Sequence, residues 1–253
     1  MLTPQQVNQY HEKGYVTATE RLPADVVDDI KEAHNRLLAK HPEFYHYCPN
    51  LLGYDTWYLA IARTPYILDC VEQVLGPDIA LWNASFFAKP ANGGHATPWH
   101  QDGEYWPIRP LATCTVWIAI DAATPENGCL KVIPGSHTDR KLRQHHTNTA
   151  TNLTLSQELD TSEYNEADAV AIALEPGEIS LHDVYLLHGS DANHSTESRR
   201  GMTLRFMPTT SVYDRALATR ISEEKSLVNH SERTLFLMRG ADPSGLNDFR
   251  IRQ

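Results

Sequence analysis

Apolar positions recur at helical spacing through the first third of the chain and change to β-type runs after residue 78. In LTPQQVNQYHEKG, Thr3 stands as a cap, Pro4 suits the first turn and Gly14 suits the end, which predicts a short helix. YVTAT follows as a strand candidate. In DVVDDIKEAHNRLLAK, the residues Val26, Val27, Ile30, Ala33, Leu37 and Leu38 predict a helix with one buried face. RTPYILDCVEQVLGPD repeats this grammar, with Thr64 as cap, Pro65 in the first turn and Gly76 as terminator.

The second part of the chain reads as short strands broken by turns. IALWNASFFAKP, TCTVWIAID, CLKVIPGSH, GEISLHDVYLLHGS and RRGMTLRFMPTT are the strand candidates; ANGG, ENG and DANHSTES separate them. Residues 138–168 read as loop with a short helix, and the tail from 213 is weakly patterned. Helices first and turn-punctuated strands afterwards predict a mainly β fold with flanking helices, an antiparallel barrel or jelly roll braced by its N-terminal helices. With 253 residues and no repeat or linker, one domain is expected. Residues 1–78 would be helical support, 79–210 the barrel core and 211–253 a C-terminal extension.

Composition narrows the partners. Hydrophobic residues make up 41% of the chain, enough for a substantial core. A formal charge of −10 argues against nucleic acid or anionic lipid as partners. No apolar run approaches the 18 residues of a spanning helix, and the polar start lacks the features of a signal peptide. Cys48, Cys70, Cys114 and Cys129 form no CxxC pair and read as reduced thiols, so a cytoplasmic location is expected. Oligomeric state is not fixed by any of this.

The candidate chemistry centres on TPWHQDGEYWP, where His100 and Asp102 stand two apart. An HxD pair alone is weak, because chance placement yields about one in a chain of this composition. The chain has a second, His137–Asp139, and two HxE pairs, His41–Glu43 and His230–Glu232. Context favours the first: on a strand, side chains at i and i+2 share a face and can hold one ion. His137–Asp139 follows a turn, His41–Glu43 spans Pro42, and His230–Glu232 lies in the polar tail. A third ligand comes from SLHDVYLLHGS. Taken as one strand, it places His182, Val184, Leu186 and His188 on one face, with His188 at the pocket end. His182 is expected to be an ordinary core or surface histidine. Two histidines and a carboxylate with open positions form the facial set of non-haem Fe(II) oxygenases. In RRGMTLRF, alternation puts Met202, Leu204 and Phe206 on the packed face, and Arg199, Thr203 and Arg205 on the pocket face. Arg199 can then grip a planar carboxylate, or serve simply as a surface arginine beside Arg200.

Taken together, LTPQQVNQYHEKGYV, PYILDCVEQVLGPD, FFAKPANGGHATPWHQD, TVWIAIDAATPENGCLKVIPGSH and EPGEISLHDVYLLHGSDANHSTESRRGMTLRF resemble the phytanoyl-CoA dioxygenase family over residues 2–210. The resemblance implies a double-stranded β-helix, the cupin-like jelly roll, that binds Fe(II) and 2-oxoglutarate and consumes O2. It implies His100, Asp102 and His188 as iron ligands, Arg199 and Ser190 at the distal carboxylate of 2-oxoglutarate, and Trp117 lining that pocket. It also implies a lysine upstream of the first strands, and LGYDTWYLAIAR carries none. The family's halogenases replace the carboxylate ligand with Ala or Gly, so Asp102 argues for oxygenation. The expected activity is oxidation, typically hydroxylation, of an unactivated C–H bond in a small metabolite or natural-product intermediate, with release of succinate and CO2. Asn83, Lys89, Gln101, Tyr105 and Trp106 are the candidate substrate contacts. No basic cluster suits the phosphates of a CoA thioester. Two other readings stay open: a cupin-like metal-dependent isomerase or hydrolase, and a non-catalytic barrel that binds metal or ligand.

Overall fold

The computed structural model describes residues 1–225 and 229–252. Helix α1 (Pro4–Lys13) starts at a capping box in which Thr3 accepts from the Gln6 backbone and Gln6 answers the Thr3 backbone, an arrangement that stabilises by about 1 kcal/mol. It ends at Gly14, whose φ of 80° is the left-handed C-cap that favours glycine. Helix α2 (Ala24–Lys40) buries Val27, Ile30, Ala33 and Leu37 as the spacing requires, and His34 with them. Helix α3 (Pro65–Leu75) begins after Thr64, but Thr64 gives no side-chain cap bond; Pro65 and the buried stripe of Ile67, Leu68 and Val71 carry this helix.

Two sheets form the jelly roll. The larger has the order β1 (Tyr15–Thr17), β7 (Ile179–Asp183), β4 (Cys114–Ala119), β9 (Arg199–Pro208), β2 (Ile79–Lys89) and β10 (Phe236–Arg239). The smaller has the order β6 (Val170–Ile172), β5 (Leu130–Val132), β8 (His188–Ser190) and β3 (Thr97–His100). All pairings are antiparallel.

The helices cover one face of the larger sheet. Ile79, Leu81, Phe86, Val116, Ile118, Met202, Leu204 and Phe206 point into that layer and pack with the helix stripes in one apolar cluster. The opposite face of the same strands lines the barrel interior.

Three local departures from simple alternation matter for the site. GEISLHDVYLLHGS is two strands: residues 184–187 turn, and β7 and β8 belong to different sheets. Asp183 holds the turn by accepting from Tyr185 N at 2.8 Å through Oδ1 and from Leu186 N at 3.1 Å through its carbonyl. A register shift in β2 sets Arg205 opposite Asn83 but Phe206 opposite Leu81, so Trp82 is the extra residue of a bulge. The polar region 138–168 contains a hairpin, His145–Thr147 paired with Gln157–Leu159, and two 3-10 turns in place of the expected short helix.

The four cysteines are buried and unpaired. No described helix is long and apolar enough to cross a membrane.

Candidate metal centre and adjoining cavities

His100 ends β3 and His188 begins β8, and the two are register partners across the smaller sheet. Asp102 opens the 3-10 turn (Asp102–Glu104) just beyond His100. Ligand-capable atoms of the three lie within 4.8 Å of one another, and the residues are 3–5% exposed. Asp102 Oδ1 stands 3.8 Å from His100 Nε2 and 3.9 Å from His188 Nε2.

The tautomers follow from the backbone. His100 Nδ1 lies 2.8 Å from Pro98 O and His188 Nδ1 lies 2.9 Å from Leu186 O. A carbonyl only accepts, so each Nδ1 donates to it, and Nε2 is the nitrogen that each neutral ring offers to an ion. The carboxylate is oriented in the same way: Thr115 Oγ1 donates to Asp102 Oδ2 at 3.1 Å, and His182 Nε2 lies 3.4 Å from that oxygen. Oδ1 is left to face the two imidazoles. Burial pushes the Asp102 carboxyl up, but the His100 and His182 imidazoles against it, with His188 and the Arg205 guanidinium nearby, outweigh this and hold it well below the usual carboxylate range. Burial, with His100 alongside, drives His188 well below the usual histidine range. Two neutral imidazoles and one carboxylate, each held by a partner behind it, are the donor set a divalent transition metal takes. The residues fit such an ion.

Gln101 ties together the segments that carry the three candidate ligands. It is fully buried; its amide donates to Tyr185 O at 2.7 Å and Lys141 O at 2.9 Å, and its Oε1 accepts from Arg143 N at 2.6 Å. It thereby ties the end of β3 to the turn that delivers His188. Gln101 was expected to meet substrate; its side chain points away from both cavities because its three hydrogen bonds are all to backbone. Lys89 is a second correction. Its Nζ donates to His95 O at 2.7 Å and Asp191 O at 2.6 Å, and burial lowers it to about 6. It braces the loop after β8 and lines neither cavity at the site.

A pocket of about 420 Å³ adjoins the three ligands. Thr97, Trp117, Leu130, Ser190, Arg199 and Thr203 help to line it. Ser190 lies two residues from His188 on β8, about 7 Å along the strand, which is the span of a five-carbon diacid. Arg199 is 2% exposed and stacks 5.4 Å over the Trp117 ring. It donates to Gly128 O at 2.7 Å and lies 3.5 Å from Ser190 Oγ, with burial lowering it to about 10. Gly201 lets Trp117 lie flat here, since a Cβ at 201 would sit 2.1 Å from the indole.

A second cavity, about 1190 Å³, opens on the far side of Asp102. Asn83, Tyr105 and Trp106 line it, as do Trp82, Arg205 and residues 148–150 and 153–156. The β2 bulge places Trp82 and Asn83, consecutive in sequence, at the same cavity. Tyr47 and His230 join them from segments with no pattern signal.

His182 was set aside in sequence as a core or surface histidine; it is buried within 3.4 Å of Asp102, its ring 4.7 Å from that of His188. It reaches the site from β7, in the sheet opposite His188, and not by sharing a strand face with it. Thr115 carried no sequence signal beyond its alternation with Val116.

A jelly roll with a buried His-x-Asp…His set between its sheets defines the class of this protein. The chain belongs to the phytanoyl-CoA dioxygenase (PhyH) family, whose model matches residues 10–201. A phytanoyl-CoA dioxygenase domain-containing protein 1 homolog of Dictyostelium discoideum is 36% identical over 110 residues, covering 43% of this chain and 39% of that protein. The chain spans about half, or less, of the length of the curated relatives it matches. Among solved structures, the apo form of the non-heme monooxygenase ThoJ superposes with a TM-score of 0.75 at 22% identity, covering 98% of this chain and 87% of that one. The epimerase SnoN from nogalamycin biosynthesis, in complex with Fe3+, alpha ketoglutarate and nogalamycin RO, superposes with a TM-score of 0.68 at 21% identity, covering 83% and 85%. Both share the fold.

Proposed function

We propose that the protein is a 2-oxoglutarate-dependent non-haem iron oxygenase that oxidises a C–H bond of a small molecule. The observation that carries this reading is the pairing of two features across one pocket. Two proton-fixed imidazoles and an oriented carboxylate converge at one end, and a buried guanidinium without a carboxylate partner waits at the other. His100, Asp102 and His188 would hold Fe(II). Arg199 and Ser190 would bind the distal carboxylate of 2-oxoglutarate, with Trp117 as the pocket wall. Iron, when bound, supplies the site at which the oxo acid and O2 are activated. The residues do the rest: Thr115 and Gln101 keep the ligands oriented, and the buried pocket excludes water from the cosubstrate. SnoN, with Fe3+ and alpha ketoglutarate in the same fold, supports this assignment.

A zinc-type hydrolase or isomerase on the same ligands has no use for a distal carboxylate anchor, so Arg199 favours the oxygenase. The test is anaerobic addition of Fe(II) and then 2-oxoglutarate. A visible charge-transfer band, followed by succinate release on admitting O2, is expected. No band and no succinate, even without an added substrate, would remove the assignment.

A further inference from the structure

The charges around the two cavities do not balance, and the imbalance points to a substrate class. Two buried guanidinium groups line them, Arg199 at 2% exposed and Arg205 at 5%, and a third, Arg233 at 7%, lies behind the wall residues Asn83 and His230. None has a carboxylate within ion-pair distance among the described residues. Among the described residues, Asp102 is the single acid lining either cavity. A ferrous ion and a 2-oxoglutarate dianion would cancel each other, leaving two positive charges on buried side chains. Unpaired charge of that kind is costly unless a bound anion answers it.

The three arginines differ in what they have left to give. Arg199 belongs to the cosubstrate pocket. Arg233 spends its donors within the protein, on His230 Nδ1 at 2.7 Å, Asn83 Oδ1 at 2.7 Å and Pro49 O at 3.2 Å. Arg205 gives one bond, to Ser85 Oγ at 2.5 Å, and its buried Nε has no partner. Its guanidinium lies 5.3 Å over Trp106 and 5.8 Å over Phe87, at the junction of the two cavities. A guanidinium offers five N–H donors in a fork that matches a carboxylate. Arg205 is also six residues from Arg199, roughly 20 Å along β9, so the two cannot grip one carboxylate. Beyond Arg205 the larger cavity is walled by Trp82, Tyr105, Trp106, Leu153 and Leu155, surfaces for an apolar or aromatic body.

We propose that the larger cavity takes an apolar or aromatic carboxylic acid whose carboxylate pairs with Arg205. This rests on the oxygenase reading above for which cavity serves the cosubstrate. The position of Arg205 beside Asp102 would hold the acid's neighbouring carbons toward the metal end of the cavity.

The test compares 3-phenylpropionate with 3-phenylpropionamide, which differ in charge at nearly constant shape. Each is titrated by ligand-observed NMR into protein loaded with Zn(II) and 2-oxoglutarate, so that nothing turns over. The acid should bind at least about tenfold tighter than the amide, the strength of a charge-assisted bond. Arg205→Gln should erase that preference. Should that variant fail to fold, Arg205→Lys decides: it keeps the charge without the fork, so acid affinity should fall severalfold and still exceed that of the amide. Equal binding of acid and amide, absence of acid binding, or unchanged acid affinity in Arg205→Lys would overturn the proposal. So would an Arg205→Gln variant that loses 2-oxoglutarate and keeps the acid preference, because Arg205 would then serve the cosubstrate. If the wild type fails to bind 2-oxoglutarate at all, the oxygenase reading fails by itself. The acid–amide comparison, repeated without cosubstrate, then decides this proposal separately.

Discussion

Strand β9 has two faces with equal burial and opposite chemistry. Met202, Leu204 and Phe206 are 0% exposed and meet only the apolar helix layer. Thr203 and Arg205, between them, are 3% and 5% exposed and look into the barrel. The outer face is held by dispersion and the removal of apolar area from water. The inner face is held by few internal bonds and carries hydrogen-bonding capacity that the fold leaves unused. Burial therefore does not separate core from site here. On this strand what separates them is the hydrogen-bonding capacity that the inner face carries and the outer face lacks.

The comparison is broken most severely at the ligands. Asp102→Ala should cut Fe(II)-dependent succinate formation by more than about 100-fold, above the usual effect of a residue that merely supports a ligand. Its folded fraction by circular dichroism should not fall. Activity near wild type would mean that the inner face is not a metal site. Next, Arg199→Met should raise the KM for 2-oxoglutarate by about 30-fold or more, the loss of a buried charged contact, with little change in melting temperature.

On the outer face the signs reverse. Leu204→Ala should cost about 2–5 kcal/mol of stability in urea unfolding and leave the 2-oxoglutarate KM of the folded fraction unchanged. A KM shift as large as that of Arg199→Met would show that the two faces are not separable. Gly201→Ala probes the boundary, because its Cβ would press on the Trp117 indole. A stability loss of about 1–3 kcal/mol, together with weaker 2-oxoglutarate binding, is expected.

The last effect appears only as pH falls and concerns His34, the polar exception on the outer side. It stacks on Phe86 with ring centroids 4.0 Å apart, and neither ring nitrogen has a partner. Burial, reinforced by Arg200, lowers it to about 4. Between pH 4 and 6.5 the unfolded chain binds a proton that the folded chain refuses. The stability linked to His34 is therefore fully present above about pH 6.5 and is lost as pH falls toward 4. The whole span is worth up to about 3 kcal/mol. His34→Leu should flatten that part of the stability–pH curve while leaving cosubstrate binding alone. An unchanged slope would mean that other groups set it.

Much of the molecule was legible in the chain. Alternation in RRGMTLRF gave both faces of β9 correctly, including Arg205, because a two-residue period depends only on the local backbone. The caps of α1 and the buried stripe of α2 follow from equally local rules. The spacing of His100 and Asp102, with the surrounding motifs, was enough to single out the candidate ligand pair and the family.

Tertiary structure decided the rest. The turn at 184–187 sends His182 and His188 into opposite sheets, yet brings both to Asp102. The bulge at Trp82 turns two consecutive residues toward one cavity. Lys89 and Gln101 have the chemistry of substrate contacts but spend it on backbone carbonyls from strands and loops far along the chain. Sequence thus set which side chains could do the chemistry and which way a regular strand presents them. Which of them kept a free lone pair or N–H was settled by register and loop closure. Those depend on residues more than a hundred positions away, and no local period encodes them.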